Sequence, residues 1–125
     1  MRLLRRMFGK ERRSDRVDIA VDVQVEVKDG DPKQFRSEDL SATGLRMDIS
    51  GVASLAELTG GYRDVGLAIL IGGEDGPARV VAEPIWTRRR EDGGQSSGWM
   101  FSQYVGDAKD RLDEFVDSHP GSEGA

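Results

Sequence analysis

Apolar and polar side chains alternate with a period of two from Asp18 to Lys28. Ile19, Val21, Val23, Val25 and Val27 fall on one face, and Asp18, Ala20, Asp22, Gln24, Glu26 and Lys28 on the other. This pattern predicts a strand with one buried face. Asp29-Gly30-Asp31-Pro32 predicts a turn after it. Residues 33–38 are more weakly patterned and predict its partner strand. Leu45, Met47 and Ile49 alternate again after Gly44 and predict a third. Residues 50–62 contain Gly51, Gly60 and Gly61 and predict a loop, with one helical turn around Ala53–Leu58. Val65, Leu67, Ile69 and Ile71 predict the next strand, and Gly72 to Pro77 the hairpin that follows. Residues 78–88 predict a strand that must absorb Pro84 at an edge or a bulge, because proline has no N–H to give to a ladder. The charged and glycine-containing residues 89–96 predict a loop, and Gly98 to Val105 the last strand. A helix is expected over 108–117, where Leu112, Phe115 and Val116 fall on one face, with Asp107 as its N-cap.

The elements add up to a mainly β chain of six short strands and one C-terminal helix. Strands joined by short turns pair antiparallel. A small all-β chain hides its edges most simply by closing into a barrel. The expected architecture is a six-stranded antiparallel β-barrel spanning residues 11–117, its helix covering an end or packing outside. Residues 1–10 precede it as a basic flexible tail and residues 118–125 follow as a polar, disordered end. Trp86 and Trp99 are expected to pack inside the barrel on burial tendency.

With 125 residues the chain has the size of one domain, large enough for a core that needs no disulfide or metal. It has no Cys and one His, His119, near the polar end. A thiol nucleophile, a cysteine-based zinc site and a Ser-His-Asp triad therefore lack material, and an enzyme is not expected. No cofactor or metal is expected either. No apolar run has the length of a membrane span, and no signal-peptide core is visible, so the default compartment is the cytoplasm.

The net charge of −5 is unevenly spread. Residues 1–16 hold seven basic side chains against two acidic ones, or +5, and the rest hold 11 against 21, or −10. An acidic body repels a polyphosphate, which argues against nucleic acid as a partner. A short basic segment suits a small anion, or an anionic surface met by residues 1–10. There Leu3, Leu4, Met7 and Phe8 would share one helical face.

Two motifs carry candidate chemistry. Arg12-Arg13-Ser14-Asp15-Arg16 holds an R-x-x-x-R pair just before the first strand. Its forked guanidiniums match paired acceptors such as guanine O6 and N7 or two phosphate oxygens. Asp39-Leu40-Ser41-Ala42-Thr43-Gly44 is a D-x-S-x-x-G. Asp39 can accept from guanine N1–H and N2–H₂, and Ser41 can donate or accept. Gly44 permits a positive φ or a close approach. The bland alternatives are a solvated basic face and an ordinary turn.

The two motifs in this order, with 22 residues between Arg16 and Asp39, resemble the PilZ domain, the bacterial receptor module for cyclic di-GMP. Glu83-Pro84-Ile85-Trp86 and Gly98-Trp99-Met100-Phe101 extend the resemblance, as does the closing helix. It implies a split-barrel fold in which Arg12, Arg16, Asp39 and Ser41 hold cyclic di-GMP. Arg13 would add a phosphate or stacking contact, Gly44 would shape the turn, and Arg88 would be a further phosphate contact. It also implies an adaptor whose N-terminal segment closes over the ligand and signals to an effector protein. The alternative is a PilZ-like protein–protein interaction domain that binds no nucleotide.

Overall fold

The computed structural model describes residues 18–26, 31–52 and 54–119. Six strands form a closed barrel: β1 (Asp22–Glu26), β2 (Lys33–Leu40), β3 (Gly44–Asp48), β4 (Val65–Ile69), β5 (Ala78–Arg89) and β6 (Gln95–Tyr104). The order around it is β1-β2-β3-β6-β5-β4, and every pairing is antiparallel. Among the described residues, two helices accompany the barrel, α1 (Leu55–Thr59) and α2 (Ala108–Asp117). The expected barrel and closing helix are both present. Tail residues 1–10 and residues 120–125 lie outside the described residues.

The barrel is filled from alternate positions. Val23 and Val25 of β1, Leu45 and Met47 of β3, and Leu67 and Ile69 of β4 all point inward and are buried. Trp99 joins them from β6, its indole N–H donating to Ser97 Oγ at 2.7 Å. A buried Trp needs such a partner for its N–H. Leu112 and Val116 of α2 belong to the same core, which docks the helix on the barrel.

The boundaries depart from the sequence expectation in instructive ways. The first strand begins at Asp22, not Asp18, because β4 ends at Ile69. Residues before Asp22 are thus left with β2 as their neighbour on one side alone among the ladders. The fourth strand stops short of Ile71, whose N–H turns back to donate to Ile69 O at 3.0 Å. β2 runs past residue 38 to Leu40, because a bulge between Ser37 and Asp39 restores its pairing with β3, Asp39 to Arg46 and Leu40 to Leu45. The loop expected over 89–96 shrinks to residues 90–94. Arg89 pairs with Gln95, and Ser96 and Ser97 are buried strand residues whose polarity masked them. Pro84 is absorbed by an irregularity between Pro84 and Trp86, as expected.

Asp107 is not a side-chain cap. Gly106, at φ 59, turns the chain so that Asp107 already sits at φ −93, ψ 22. That is not the extended geometry in which an N-cap carboxylate reaches the first helical N–H groups. Ser54 does have that geometry, and its Oγ accepts from Glu57 N at the start of α1.

Candidate ligand-binding site

The D-x-S-x-x-G motif straddles the β2–β3 connection, with Asp39 on β2, Ser41 in the turn and Gly44 opening β3. Asp39 is 4% exposed, and its Oδ2 lies 3.1 Å from Arg46 Nη2 across the strand pair. Arg46 Nε lies 3.3 Å from Glu38 Oε1. Arg90 Nη1 donates to Glu38 Oε2 at 2.7 Å and to Ser96 Oγ at 2.9 Å, and Ser96 Oγ donates onward to Glu38. A carboxylate this buried is tolerated because a cation faces it.

Ser41 is turned into its own loop. Its Oγ accepts from Gly44 N at 3.1 Å and Thr43 N at 3.2 Å, while Ser41 N donates to Gly44 O at 2.9 Å. The hydroxyl thus replaces backbone partners for two N–H groups. The turn is clamped from β6: Phe101 N donates to Thr43 O at 2.9 Å and Tyr104 Oη to Ala42 O at 2.7 Å. Burial pushes the Tyr104 phenol above its usual range.

Gly44 does not have a positive φ. It is buried in an extended strand, and a Cβ there would stand 2.4 Å from the Trp99 carbonyl oxygen. Of the two roles open to this glycine, close approach is the one found.

Trp99 lies inside the barrel and Trp86 does not, contrary to expectation. Gly98 pairs with Trp86, and a Cβ on Gly98 would meet the indole at 2.3 Å, so the ring lies across the glycine on the outer surface. Arg88 stacks on that ring, its guanidinium carbon 5.2 Å from the centroid. It is an exposed β5 residue, not part of a loop rim.

Arg12, Arg13 and Arg16 lie outside the described residues, but the direction of the segment that leads to them is fixed. Val21 O accepts from Ser37 N at 2.9 Å, Val21 N donates to Ser37 Oγ at 2.9 Å, and Ser37 Oγ donates to Ile19 O. Arg36 Nη2 donates to Ala20 O at 3.0 Å. Continued towards Asp18 in the register of β1 with β2, the chain moves alongside the end of β2, towards Asp39 and the turn. Replacing Ser37 by Ala removes both side-chain anchors and should cost about 1–2 kcal/mol. The expected sign is faster amide exchange at Val21, with the barrel amides slowed as before.

Sequence reasoning missed three residues that build this site. Arg46 carried only a strand-alternation signal, and its place opposite Asp39 depends on a bulge. Arg90 was one of three consecutive arginines. Tyr104 had no local mark. Asp48 belongs to the same polar surface. Its carboxyl is held below its ordinary value of 3.8, first by the Ser50 hydroxyl at 2.6 Å and then by Ser50 N–H, with Arg90 assisting and partial burial opposing. The folded value lies below the unfolded one, so this stabilisation is present above about pH 3.8 and is lost as pH falls through the folded value. Ser50→Ala should return the Asp48 titration upward, towards 3.8, when followed by carboxyl-carbon NMR.

The backbone matches known structures. The Bacillus subtilis inhibitor of motility MotI/DgrA superposes with a TM-score of 0.70 at 16% identity, over 86% of this chain and 50% of that one. The PilZ domain of YcgR from Escherichia coli, solved with c-di-GMP, superposes with a TM-score of 0.60 at 18% identity, over 87% of this chain and 91% of that domain. The fold is that of a PilZ domain. The chain spans about half the length of MotI/DgrA and nearly all of the YcgR PilZ domain. No family model matches the sequence, and no curated protein matches it. At this level of identity the PilZ likeness is one of fold. Among the described residues, no helix is long and apolar enough to cross a membrane.

Proposed function

We propose that this chain is a receptor for cyclic di-GMP that works as an adaptor, signalling to an effector protein in the bacterial cytoplasm. The observation that carries this reading is the register at the end of β2. Residues 18–21 lead back from β1 alongside β2 in the direction of Asp39, near that strand's end at Leu40, which supports a reading in which the Arg12–Arg16 motif and the Asp39–Gly44 motif serve one site. Only two residues, Val17 and Asp18, separate Arg16 from Ile19, a span of at most about 10 to 11 Å. The YcgR domain of the same fold was solved with this ligand.

In this reading Arg12 and Arg16 grip guanine edges and phosphates, Arg13 adds a phosphate or stacking contact, and Asp39 and Ser41 hydrogen-bond a guanine. Gly44 keeps the turn against β6, and Arg88 offers a further phosphate contact. The +5 segment supplies the charge that the −10 body lacks for a dianion. Arg46 covers Asp39, so a guanine that reaches Asp39 must share it with Arg46 or displace it. Closure of the segment over the ligand would redirect residues 1–10, which carry the output to an effector or to a membrane surface. A ligand acts this way only through its different affinity for the two arrangements.

One observation favours a second reading, an interaction domain of the same fold without nucleotide. Asp39 is already ion-paired and Ser41 already satisfied by its own turn. Isothermal titration of the full chain with cyclic di-GMP, with GTP as control, separates the two. Saturable binding at micromolar affinity or tighter, absent for GTP, is expected for the receptor. No heat and no amide chemical-shift change at high ligand would establish the second reading instead.

A further inference from the structure

The outer surface of the barrel carries an apolar groove beside the turn. Thr43, Gly44, Ile85, Trp86, Gly98 and Met100 line a shallow cavity of about 210 Å³ that crosses β3, β6 and β5. Two of its residues are glycines, Gly44 packed against the Trp99 carbonyl and Gly98 lying under the Trp86 ring, whose indole forms part of the groove's wall. Ile85, the extra residue between paired Pro84 and Trp86, is 52% exposed, and Met100 is exposed to the same extent. Isolated surface apolar residues need no explanation, but a contiguous set around a cavity marks a surface that takes a partner.

Three observations converge on one occupant. Residues 18–21 lead back alongside β2 in the direction of the turn whose far side is Thr43 and Gly44. From Ile19 back to Phe8 is eleven residues, a reach of up to about 36 Å. The segment is +5 against a −10 body, which draws it onto the barrel. Leu3, Leu4, Met7 and Phe8 would share one face of a short helix that cannot hold itself together alone in water, so its apolar side needs a surface.

We propose that residues 3–8 of this same chain dock into the Ile85–Trp86–Met100 groove, with Phe8 or Leu4 against the exposed side chains of Ile85 and Met100 beside the Trp86 ring. The groove is then an intramolecular seat for the tail, and the inference is independent of any nucleotide.

The absence of cysteine allows a single label. A nitroxide on Arg5→Cys, off the apolar face, is read by paramagnetic broadening of the barrel amides in the full chain. Loss of intensity concentrated at Gly44, Gly98 and Met100 is expected, with recovery when the label is reduced. The same loss should vanish in Leu4→Asp/Phe8→Asp and in Ile85→Asp, the last at an exposed residue. Broadening on another face, or none, overturns the proposal. So does broadening of unlabelled, isotope-enriched chains mixed with labelled ones, which would make the occupant a second copy. Because no ligand is added, failure here leaves the receptor reading intact, and failure to bind cyclic di-GMP leaves this result standing.

Discussion

Arg12→Ala/Arg16→Ala should weaken cyclic di-GMP binding by roughly a hundred- to ten-thousandfold while leaving thermal stability unchanged. Each guanidinium contact to guanine or phosphate is a hydrogen bond to or from a charged group, worth about 1.5–3 kcal/mol. Two of them lost together amount to about 3–6 kcal/mol, and each 1.4 kcal/mol is about tenfold in affinity. Stability should not follow, because both are charged residues before Asp18, and among the described residues the core is filled by apolar side chains of the barrel and α2. The contrast with Asp39→Ala makes this the cleaner test. Removing Asp39 also strips Arg46 of a buried partner at 3.1 Å, so a loss of binding there mixes recognition with folding. Calorimetry on the double variant, with thermal unfolding alongside, reads the two effects separately. Unchanged affinity in a normally folded double variant would remove the N-terminal motif from the site. The remaining binding should also lose much of its salt dependence, since the charges that attract the dianion are gone.

The barrel was legible because its inward residues alternate cleanly. Val23 and Val25, Leu45 and Met47, and Leu67 and Ile69 each announce a face. Where the interior is filled by small or polar groups, the signal fails. Ser96 and Ser97 are buried strand residues satisfied by Glu38, Arg90 and the Met47 carbonyl; from sequence Ser96 reads as loop and Ser97 falls in neither loop nor strand. The site was legible as a pair of motifs, but not as a structure. Nothing near Asp39 in the chain tells that Arg46 covers it. That contact exists because a one-residue shift between Ser37 and Asp39 resets the register with β3. The two tryptophans make the same point. Both were expected inside, yet Gly98, with no side chain of its own, leaves a bed on the outer surface that takes the Trp86 ring. Long-range partners of this kind depend on register and bulges, which local periodicity does not encode.

The motif glycine gives the second large effect. Gly44→Ala should destabilise the fold by about 1–3 kcal/mol, the range of overpacking in a well-packed site. The upper end is expected, because the atom met is the Trp99 backbone carbonyl at 2.4 Å, not a side chain that can swing away. To admit one methyl group, β3 and β6 must part where Gly44 faces Met100 and Leu45 faces Trp99. The Phe101 N–H to Thr43 carbonyl bond beside them would lengthen too. For a domain near this size each kcal/mol lowers the midpoint by roughly 4–8 °C, so the shift is readily measured. Asn separates this cause from the turn role that sequence alone left open. Asn adopts positive φ more readily than most residues, so a glycine kept for its φ tolerates Asn better than Ala. Gly73, at φ 97 with no neighbouring atom within 4 Å of its notional Cβ, should behave in that way. At Gly44 the Cβ itself is the obstacle, so Asn should destabilise at least as much as Ala. Denaturant unfolding of the two pairs of variants decides it. If Gly44→Asn recovers the stability that Gly44→Ala loses, the motif glycine serves its turn and not the contact between strands.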